Sequence, residues 1–186
     1  MDSIKVWLIT GDPGIGKTTV ILRLVNIIKA QGYTVGGVLS KEIIKNGERI
    51  GFDLIDISSN RKGILASIDI KVGPRIGKYR VNLIDLKEIG TKALLNSLDY
   101  CDITVCDEIG PMELFSPEFR RAIIRMINNG KIAIAIIHKL MRDPLIVELK
   151  KSPSIKLLEV TKDNRDNLPN LLSQNIFEKL EKNARE

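Results

Sequence analysis

The sequence of 186 residues contains few aromatic side chains, two cysteines and one histidine. Aromatic residues make up 4% of the chain, so isoleucine, leucine and valine must supply most of the hydrophobic core. No apolar stretch reaches the roughly 18 to 20 residues that a membrane-spanning helix requires, and no signal peptide is recognisable. We therefore expect a cytoplasmic protein without a membrane partner.

The two cysteines, Cys101 and Cys106, do not predict a disulfide. On an extended strand they would stand about 16 Å apart on opposite faces, which is beyond disulfide reach. The net charge of +6 permits a polyanionic partner, but no run of five like charges occurs. Nucleic acid is therefore possible but unsupported as a partner, and a solvated, lysine-rich surface is the simpler interpretation.

Apolar runs of strand length alternate along the chain with segments of helical periodicity. Strands are predicted at residues 4–10, 33–40, 103–106, 132–137 and 155–160, and helices at 17–31, 85–98, 116–129, 144–150 and from 164 or 168 to 182. This alternation predicts an α/β fold with a mostly parallel central sheet flanked by helices. The length favours a single domain over residues 1–186.

The segment 41–81 departs from the alternation of strands and helices. It contains short β-like pieces separated by turn signals, of which Asn46-Gly47 is the clearest. Apolar and polar residues alternate from Ile50 to Ile57. We expect a short antiparallel β insertion here rather than a second domain.

The stretch GDPGIGKT, Gly11 to Thr18, joins the first predicted strand to the first predicted helix. It is a complete G-x-x-x-x-G-K-[ST] phosphate-binding loop, or Walker A motif. Glycines let consecutive backbone N–H groups approach phosphate oxygens, and the start of the helix adds its positive dipole. Lys17 is predicted to contact the β- and γ-phosphates, and Thr18 to bind Mg²⁺.

The stretch DITVCDEIG places two acidic residues after a buried strand, as in a Walker B motif. We predict that Asp107 holds Mg²⁺ together with Thr18. Glu108 is the candidate general base that deprotonates water for attack on the γ-phosphate. Glu113 either supports this cluster or faces solvent.

Several other polar residues are weaker candidates for the site. His138 follows an apolar strand and either contacts the γ-phosphate, orients the attacking water or is a polar strand terminus. Arg142 either stabilises developing charge or lies on a solvated loop, and the same alternatives hold for Arg120 and Arg121. Asn164 or Arg165 is a candidate contact of the base, and the alternative is a helix cap formed by Asp163 or Asn164.

Longer motifs resemble a known family, the thermostable nucleoside-triphosphatases of archaea and bacteria, to which a human cancer-related nucleoside-triphosphatase is similar. The resemblance rests on GDPGIGKTT, GGVLSKEIIKNGERIGFDLIDIS, GKYRVNLIDL, CDEIGPMELFSPEF, IAIAIIHK and TKDNRDNL. It implies a RecA-like P-loop NTPase fold and slow, Mg²⁺-dependent hydrolysis of nucleoside triphosphates to diphosphates, with broad base tolerance.

The resemblance also implies two nucleotide-binding segments. Their residues are Gly11, Asp12, Pro13, Gly14, Ile15, Gly16, Lys17, Thr18 and Thr19 in the first, and Ile103, Thr104, Val105, Cys106, Asp107, Glu108, Ile109 and Gly110 in the second. Pro111 stands where some members carry lysine, so a basic group is absent from that position here.

Two other classes of protein also contain a phosphate-binding loop and are alternatives to a triphosphatase. In a small-molecule or nucleotide kinase, Glu108 would activate an acceptor hydroxyl and segment 41–81 would hold the acceptor. In a nucleotide-dependent accessory protein acting on nucleic acid, the output would be a conformational change. Glu108 and the dispersed charge favour the triphosphatase.

Overall fold

The computed structural model describes residues 4–183. The strands are β1 (Val6–Thr10), β2 (Val35–Lys45), β3 (Glu48–Asp56), β4 (Lys62–Ser67), β5 (Arg75–Ile76), β6 (Tyr79–Val81), β7 (Ile103–Ile109), β8 (Ile132–Ile137) and β9 (Ile155–Glu159). The α-helices are α1 (Lys17–Ala30), α2 (Leu83–Asp85), α3 (Lys92–Tyr100), α4 (Pro117–Asn128), α5 (Pro144–Lys151) and α6 (Leu168–Asn183). A π-helical turn, Leu86–Thr91, joins α2 to α3, and a 3₁₀ turn, Glu113–Phe115, precedes α4.

All of these strands form one sheet in the order β5-β6-β4-β3-β2-β7-β8-β1-β9. The strands from β2 to β9 in that order are parallel, and β3, β4, β6 and β5 extend the sheet in antiparallel pairs. The predicted α/β sheet with flanking helices is confirmed. The antiparallel part is larger than the predicted insertion, and it is continuous with the parallel part.

Strand β2 connects the two parts of the sheet. Its first five residues pair with β7, and residues Val38 to Lys45 pair with β3. The predicted end of this strand at residue 40 is wrong, because pairing with β3 keeps the chain extended for five more residues. One strand therefore runs from the parallel sheet into the antiparallel extension.

The turn between β2 and β3 is the predicted Asn46-Gly47 turn. Both residues have positive φ angles, 52° and 79°. A two-residue hairpin loop of type I′ requires positive φ at both central positions, which asparagine and glycine adopt most readily. The turn chemistry therefore fixes the register of the hairpin.

The helical segment that follows β6 is capped by Asn82. Its side-chain oxygen accepts hydrogen bonds from the backbone N–H groups of Ile84 and Asp85, both at 3.1 Å. The predicted cap at Asp85 is wrong, because the Asp85 carboxylate instead accepts the backbone N–H of Ile64 at 2.8 Å. This contact ties the start of the helical segment to β4.

The parallel strands are covered by helices on both faces. Leu8 packs in one cluster with Leu94 of α3 and Phe119 of α4. Ile9, which points to the opposite face, packs in another cluster that includes α1 and α6. Within residues 4–183, no helix is long and apolar enough to cross a membrane. With both faces covered, polar side chains collect at the carboxyl edge of the parallel strands.

Candidate functional site

The phosphate-binding loop connects β1 to α1 at the carboxyl edge of the sheet. Gly16 precedes α1 in a left-handed conformation with φ of 108°, which residues with a Cβ atom rarely adopt. A Cβ atom on Gly11 would lie 2.8 Å from the carbonyl oxygen of Val160. The glycines therefore allow both the tight turn and its close packing against the end of β9.

Lys17 lies at the first position of α1 and turns back toward the loop. Its Nζ donates hydrogen bonds to the carbonyl oxygens of Gly11 and Asp12, each at 3.0 Å. The ammonium group is thus held beside the loop and the N-terminus of α1. A cation next to a helix N-terminus forms a binding site for an anion.

Lys139, which the sequence did not single out, links the loop to the two neighbouring strands. It follows β8, and its Nζ contacts Asp12 at 2.9 Å and Glu159 at 2.7 Å. The hydrogen bond from Lys139 lowers the pKa of the Asp12 carboxyl. The bridge attaches the exposed side of the phosphate-binding loop to the ends of β8 and β9.

A bulge in β7 brings Asp107 and Glu108 to the same cavity. Cys106 lies opposite Ala135 and Ile109 lies opposite Ile137, so three steps along β7 match two steps along β8. Successive side chains of a regular strand point to opposite faces, and a bulge re-aims them. The predicted end of the strand at residue 106 is wrong, and both carboxylates belong to the strand itself.

Asp107 has the properties of a metal ligand. It is 4% exposed, and within residues 4–183 its Oδ2 atom has no hydrogen-bond partner. Its pKa is raised to about 7, chiefly by burial and also by the charge of Glu108, whereas the Thr18 hydroxyl and Lys17 oppose this rise. A buried, unpartnered carboxylate oxygen beside a threonine hydroxyl matches the oxygen ligands that Mg²⁺ prefers.

Glu108 is the next residue along the cavity wall. Burial raises the pKa of its carboxyl, and the nearby His138 and Lys17 oppose this rise. A carboxylate with a raised pKa is a stronger base than one in water, as a general base requires. His138 therefore lies close enough to Glu108 to influence it electrostatically and lines the same cavity.

Glu113 supports the acidic cluster rather than facing solvent. It is 4% exposed, and its Oε2 accepts the backbone N–H of Gly110 at 3.1 Å. Its pKa is raised to about 8, chiefly by burial and secondly by the neighbouring charge of Glu108. At neutral pH, Glu113 is therefore mostly protonated and adds little negative charge to the site.

Replacing Glu113 by glutamine is expected to stabilise the protein at high pH relative to low pH. Because the folded pKa is raised above the unfolded value near 4.5, the wild type loses stability as the pH rises from about 4.5 through about 8. Glutamine keeps an oxygen for the Gly110 N–H and does not titrate. Between pH 5.5 and pH 8.5, the unfolding free energy of Glu113→Gln relative to wild type should rise by about 3 kcal/mol in urea titrations.

The Glu148→Gln variant is the matched control for that measurement, because it makes the same substitution at an exposed side chain. A pH-independent difference for Glu113→Gln would contradict a protonated, buried Glu113.

A cavity of about 770 Å³ lies at the carboxyl edge of the parallel strands. Its inner half carries predicted site residues, and its outer half is formed by β2, β3 and β4. The inner half is lined by Pro13, Gly14, Gly16, Lys17, Thr18, Asp107, Glu108 and His138. The outer half is lined by Lys41, Glu42, Ile44, Arg49, Phe52 and Leu65, and Ser40, Pro111, Met112 and Glu113 complete the wall.

Some residues implied by the family resemblance do not line this cavity. Side chains of the second segment that instead pack in the sheet are Ile103, Thr104, Val105, Cys106 and Ile109. These residues are at most 1% exposed, and the nucleotide contact that the resemblance implies for them stays a prediction. Other residues of the two segments are sequence neighbours of lining residues but do not line the cavity themselves: Gly11, Asp12, Ile15, Thr19 and Gly110.

The two candidate base contacts have different surroundings. Asn164 accepts the backbone N–H of Thr161 at 2.9 Å and donates to the carbonyl oxygen of Glu159 at 2.8 Å. Arg165 donates to the carbonyl oxygen of Ile15 at 3.3 Å and so lies over the phosphate-binding loop. The side chain of Asn164 thus holds its own loop together, and Arg165 is the better placed of the two to contact a bound nucleotide.

The arginines considered as charge-stabilising groups lie away from the cavity wall. Arg142 is outside it, and Arg121 pairs with Glu118 on α4 at 3.8 Å. Arg120 binds both carboxylate oxygens of Asp143, at 3.0 and 2.6 Å, and donates to the carbonyl oxygen of Leu114 at 2.7 Å. Arg120 therefore joins α4 to the segments on either side of it.

Replacing Arg120 by alanine is expected to lower the free energy of unfolding by about 2 kcal/mol, because it leaves a half-buried carboxylate without its partner. Phosphate release at saturating triphosphate should stay within threefold of wild type. Arg121→Ala is the matched control, and loss of its solvent-exposed ion pair with Glu118 should leave the free energy of unfolding unchanged within error. A loss of turnover with unchanged stability in Arg120→Ala would contradict the structural role.

Comparison with known proteins agrees with this geometry. The family model for NTPases matches residues 6–173. The nucleoside-triphosphatase THEP1 of Thermofilum pendens is 38% identical over 175 residues, which cover 92% of this chain and 95% of that protein. The nucleoside-triphosphatase THEP1 of Methanosarcina acetivorans is 40% identical over 173 residues, which cover 92% and 97% of the two chains.

Two solved structures are similar over nearly the whole chain. THEP1 from the hyperthermophile Aquifex aeolicus superimposes with a TM-score of 0.79 at 28% identity, covering 90% of this chain and 96% of that one. A human cancer-related nucleoside triphosphatase superimposes with a TM-score of 0.75 at 32% identity, covering 91% and 96%. The resemblance inferred from the motifs is confirmed, and the chain belongs to the NTPase family.

Proposed function

We propose that this protein hydrolyses nucleoside triphosphates to diphosphates and phosphate in the cytoplasm, with Mg²⁺ as cofactor. The observation that carries the proposal is that Lys17 and Thr18 share one cavity with Asp107 and Glu108. A phosphate-binding loop alone supports binding, whereas a second, acidic wall supplies the groups that hydrolysis needs. The names of the relatives support the same activity.

The phosphates are bound by the loop and by Lys17. Backbone N–H groups at the start of α1 point toward an anion there, and Lys17 exchanges its contacts with loop carbonyls for contacts with phosphate oxygens. Broad base tolerance is supported by Asn164, whose side-chain oxygen and nitrogen already bond to the backbone of its own loop. Because its hydrogen-bonding groups are already used, this side chain has little capacity to select among nucleobases.

The reaction is an in-line attack of water on the γ-phosphorus. The water oxygen forms a bond to phosphorus while its proton passes to the Glu108 carboxylate. The bond from the γ-phosphorus to the bridging oxygen breaks, and the diphosphate leaves with that electron pair. Lys17 stabilises the negative charge that develops on the phosphate oxygens.

Asp107 and Thr18 are the residues that would hold Mg²⁺. The unpartnered Oδ2 of Asp107 and the neighbouring threonine hydroxyl fit this ion. When bound, Mg²⁺ neutralises part of the charge on the triphosphate oxygens. Asp107 must be ionised for this role, and a nearby cation favours its ionised form.

The RecA-like P-loop class, implied by the resemblance, belongs to the same proposal. It is supported by the parallel order β2-β7-β8-β1-β9, in which β8 lies between the loop strand β1 and the carboxylate strand β7. This order brings His138, at the end of β8, between the two. We propose that His138 orients the attacking water.

The test is phosphate release from ATP, GTP, CTP and UTP with magnesium, with and without RNA or DNA. We expect turnover of all four triphosphates at rates within about tenfold of one another. A rise of tenfold or more on adding nucleic acid would instead favour an accessory protein acting on nucleic acid. Calorimetry that detects no binding of ATP in millimolar magnesium would contradict the proposal.

A further inference from the structure

The hairpin formed by β5 and β6 lies at the edge of the sheet and lines no part of the cavity. It comprises residues 71–80, in which the two-residue turn Gly77-Lys78 joins the two strands. Strand β6 is six strand positions from β1, which is about 29 Å along the sheet at roughly 4.8 Å per strand. The turn extends past Ser67, the last residue of β4, which pairs with β6. The hairpin is therefore a surface separate from the triphosphate site.

This basic hairpin, residues 71–80, carries four cations and no acidic residue. Lys71, Arg75 and Lys78 are exposed, and Arg80 is partly exposed. Within residues 4–183, none of the four forms a salt bridge, whereas the arginines of α1 and α4 each pair with a carboxylate. Clustered positive charges that the fold leaves without partners attract a polyanion.

Arg75 and Arg80 lie directly opposite each other in the basic hairpin. Paired residues of antiparallel strands project their side chains from the same face of the sheet, with Cβ atoms about 5 Å apart. Like charges in this position destabilise the pairing of the strands. An anion bound between the two guanidinium groups would remove this repulsion. The pair is therefore better suited to binding an anion than to stabilising the fold.

Backbone contacts hold both guanidinium groups and leave most of their donors available. Arg75 Nε donates to the carbonyl oxygen of Gly77 at 2.9 Å, and Arg80 Nη1 donates to that of Gly73 at 2.9 Å. A guanidinium has five N–H donors in a planar fork that fits two oxygens of one phosphate. Each arginine is therefore positioned by the hairpin and still able to bind a phosphate group.

The side chains and shape of the basic hairpin favour a DNA duplex as the polyanion. Proteins that bind single strands stack the bases on aromatic rings, but Tyr79, the one aromatic residue of the hairpin, is 8% exposed. Val72 is the one exposed apolar residue of the hairpin, which is too little for insertion into a membrane. A two-stranded ribbon fits the major groove of B-form DNA, whereas that of duplex RNA is deep and narrow.

We propose that the basic hairpin binds the phosphate backbone of double-stranded DNA, with Arg75 and Arg80 on phosphate oxygens and Lys71 and Lys78 on neighbouring phosphates. Contacts to phosphates carry no sequence information, so the binding is independent of DNA sequence. This inference does not depend on the proposed hydrolysis, because the hairpin shares no residue with the cavity wall.

The test measures binding of a fluorescently labelled DNA duplex of about 20 base pairs by anisotropy, without nucleotide, at several salt concentrations. We expect wild type to bind at about 50 mM salt and to lose affinity steeply as salt rises, because binding releases counterions. Arg75→Gln combined with Arg80→Gln should reduce the affinity at least tenfold. The slope of log K against log salt concentration should become less negative by about 2, at about 0.9 per lost phosphate contact.

Lys29→Gln combined with Lys182→Gln is the matched control, because it removes the same two charges from exposed positions on α1 and α6. Its affinity for the duplex should stay within twofold of wild type. Lys71→Gln combined with Lys78→Gln is the second hairpin variant, in case thermal unfolding shows that the arginine variant is not folded. The same tenfold loss is expected for it.

The proposal is overturned if wild type does not bind the duplex at about 100 μM protein, the weak limit for non-specific DNA binding, or if the folded hairpin variants bind as wild type does. Tighter binding of a single strand, duplex RNA, polyglutamate or anionic phospholipid vesicles than of duplex DNA would also overturn it. Duplex binding by a protein that releases no phosphate from ATP would overturn the proposed hydrolysis alone.

Discussion

Replacing Lys17 by alanine is expected to weaken triphosphate binding at least 100-fold and to reduce turnover to background. In the structure this ammonium group is held by two loop carbonyls at the N-terminus of α1, so it is already in place when phosphate arrives. A charge-assisted contact of this kind contributes about 3 kcal/mol or more where water is excluded. Calorimetry with ATP and a phosphate-release assay measure the two losses.

Lys29→Ala is the matched control, since Lys29 is an exposed lysine in the last turn of the same helix. It should bind and hydrolyse ATP as wild type does. Near-normal affinity in Lys17→Ala would mean that the loop N–H groups alone hold the triphosphate.

Replacing Glu108 by glutamine should leave ATP affinity within about threefold and reduce turnover by about 10² to 10⁴. Glutamine keeps the shape of the side chain but cannot accept the proton of the attacking water. The neighbouring Asp107 and Thr18, which would hold the metal, are unchanged. Single-turnover phosphate release, compared with ATP binding by calorimetry, separates the chemical step from binding.

The exposed Glu181→Gln variant is the control for Glu108→Gln. Should Glu108→Gln lose binding and turnover to the same extent, Glu108 would be a binding residue rather than the base. In that case His138, which lines the same cavity, would be the candidate base.

The motifs predicted the inner half of the cavity but not the outer half. Lys17, Thr18, Asp107 and Glu108 belong to short local patterns, in which neighbours along the chain fix the geometry. Arg49 and Phe52 reach the cavity only because β2 continues past residue 40 and pairs with β3. The Asn46-Gly47 turn and the alternation from Ile50 to Ile57 were the sequence signals of this longer hairpin.

Other differences between prediction and structure arise from competition among polar side chains. Asp85 and Asn82 both suit a helix cap, and the partner that Asp85 finds on β4 decides between them. Nothing in the sequence around Glu113 distinguishes it from a surface glutamate. Its burial against Gly110 arises only from the fold. For Arg120 the sequence left open a charge-stabilising role and a solvated position, whereas its actual partner, Asp143, is distant in sequence. Contacts of this kind depend on tertiary structure.

The continuity of β2 has a consequence for how this protein can diversify. A change in the length of the β2–β3 hairpin near Asn46 would move the far wall of the cavity while Leu39 stays paired with Asp107. Relatives with a longer or shorter β2–β3 hairpin would therefore have a cavity of a different size beside the same phosphate-binding loop and carboxylates. Exchanging the hairpins of such relatives should change the size of the cavity without loss of triphosphate hydrolysis.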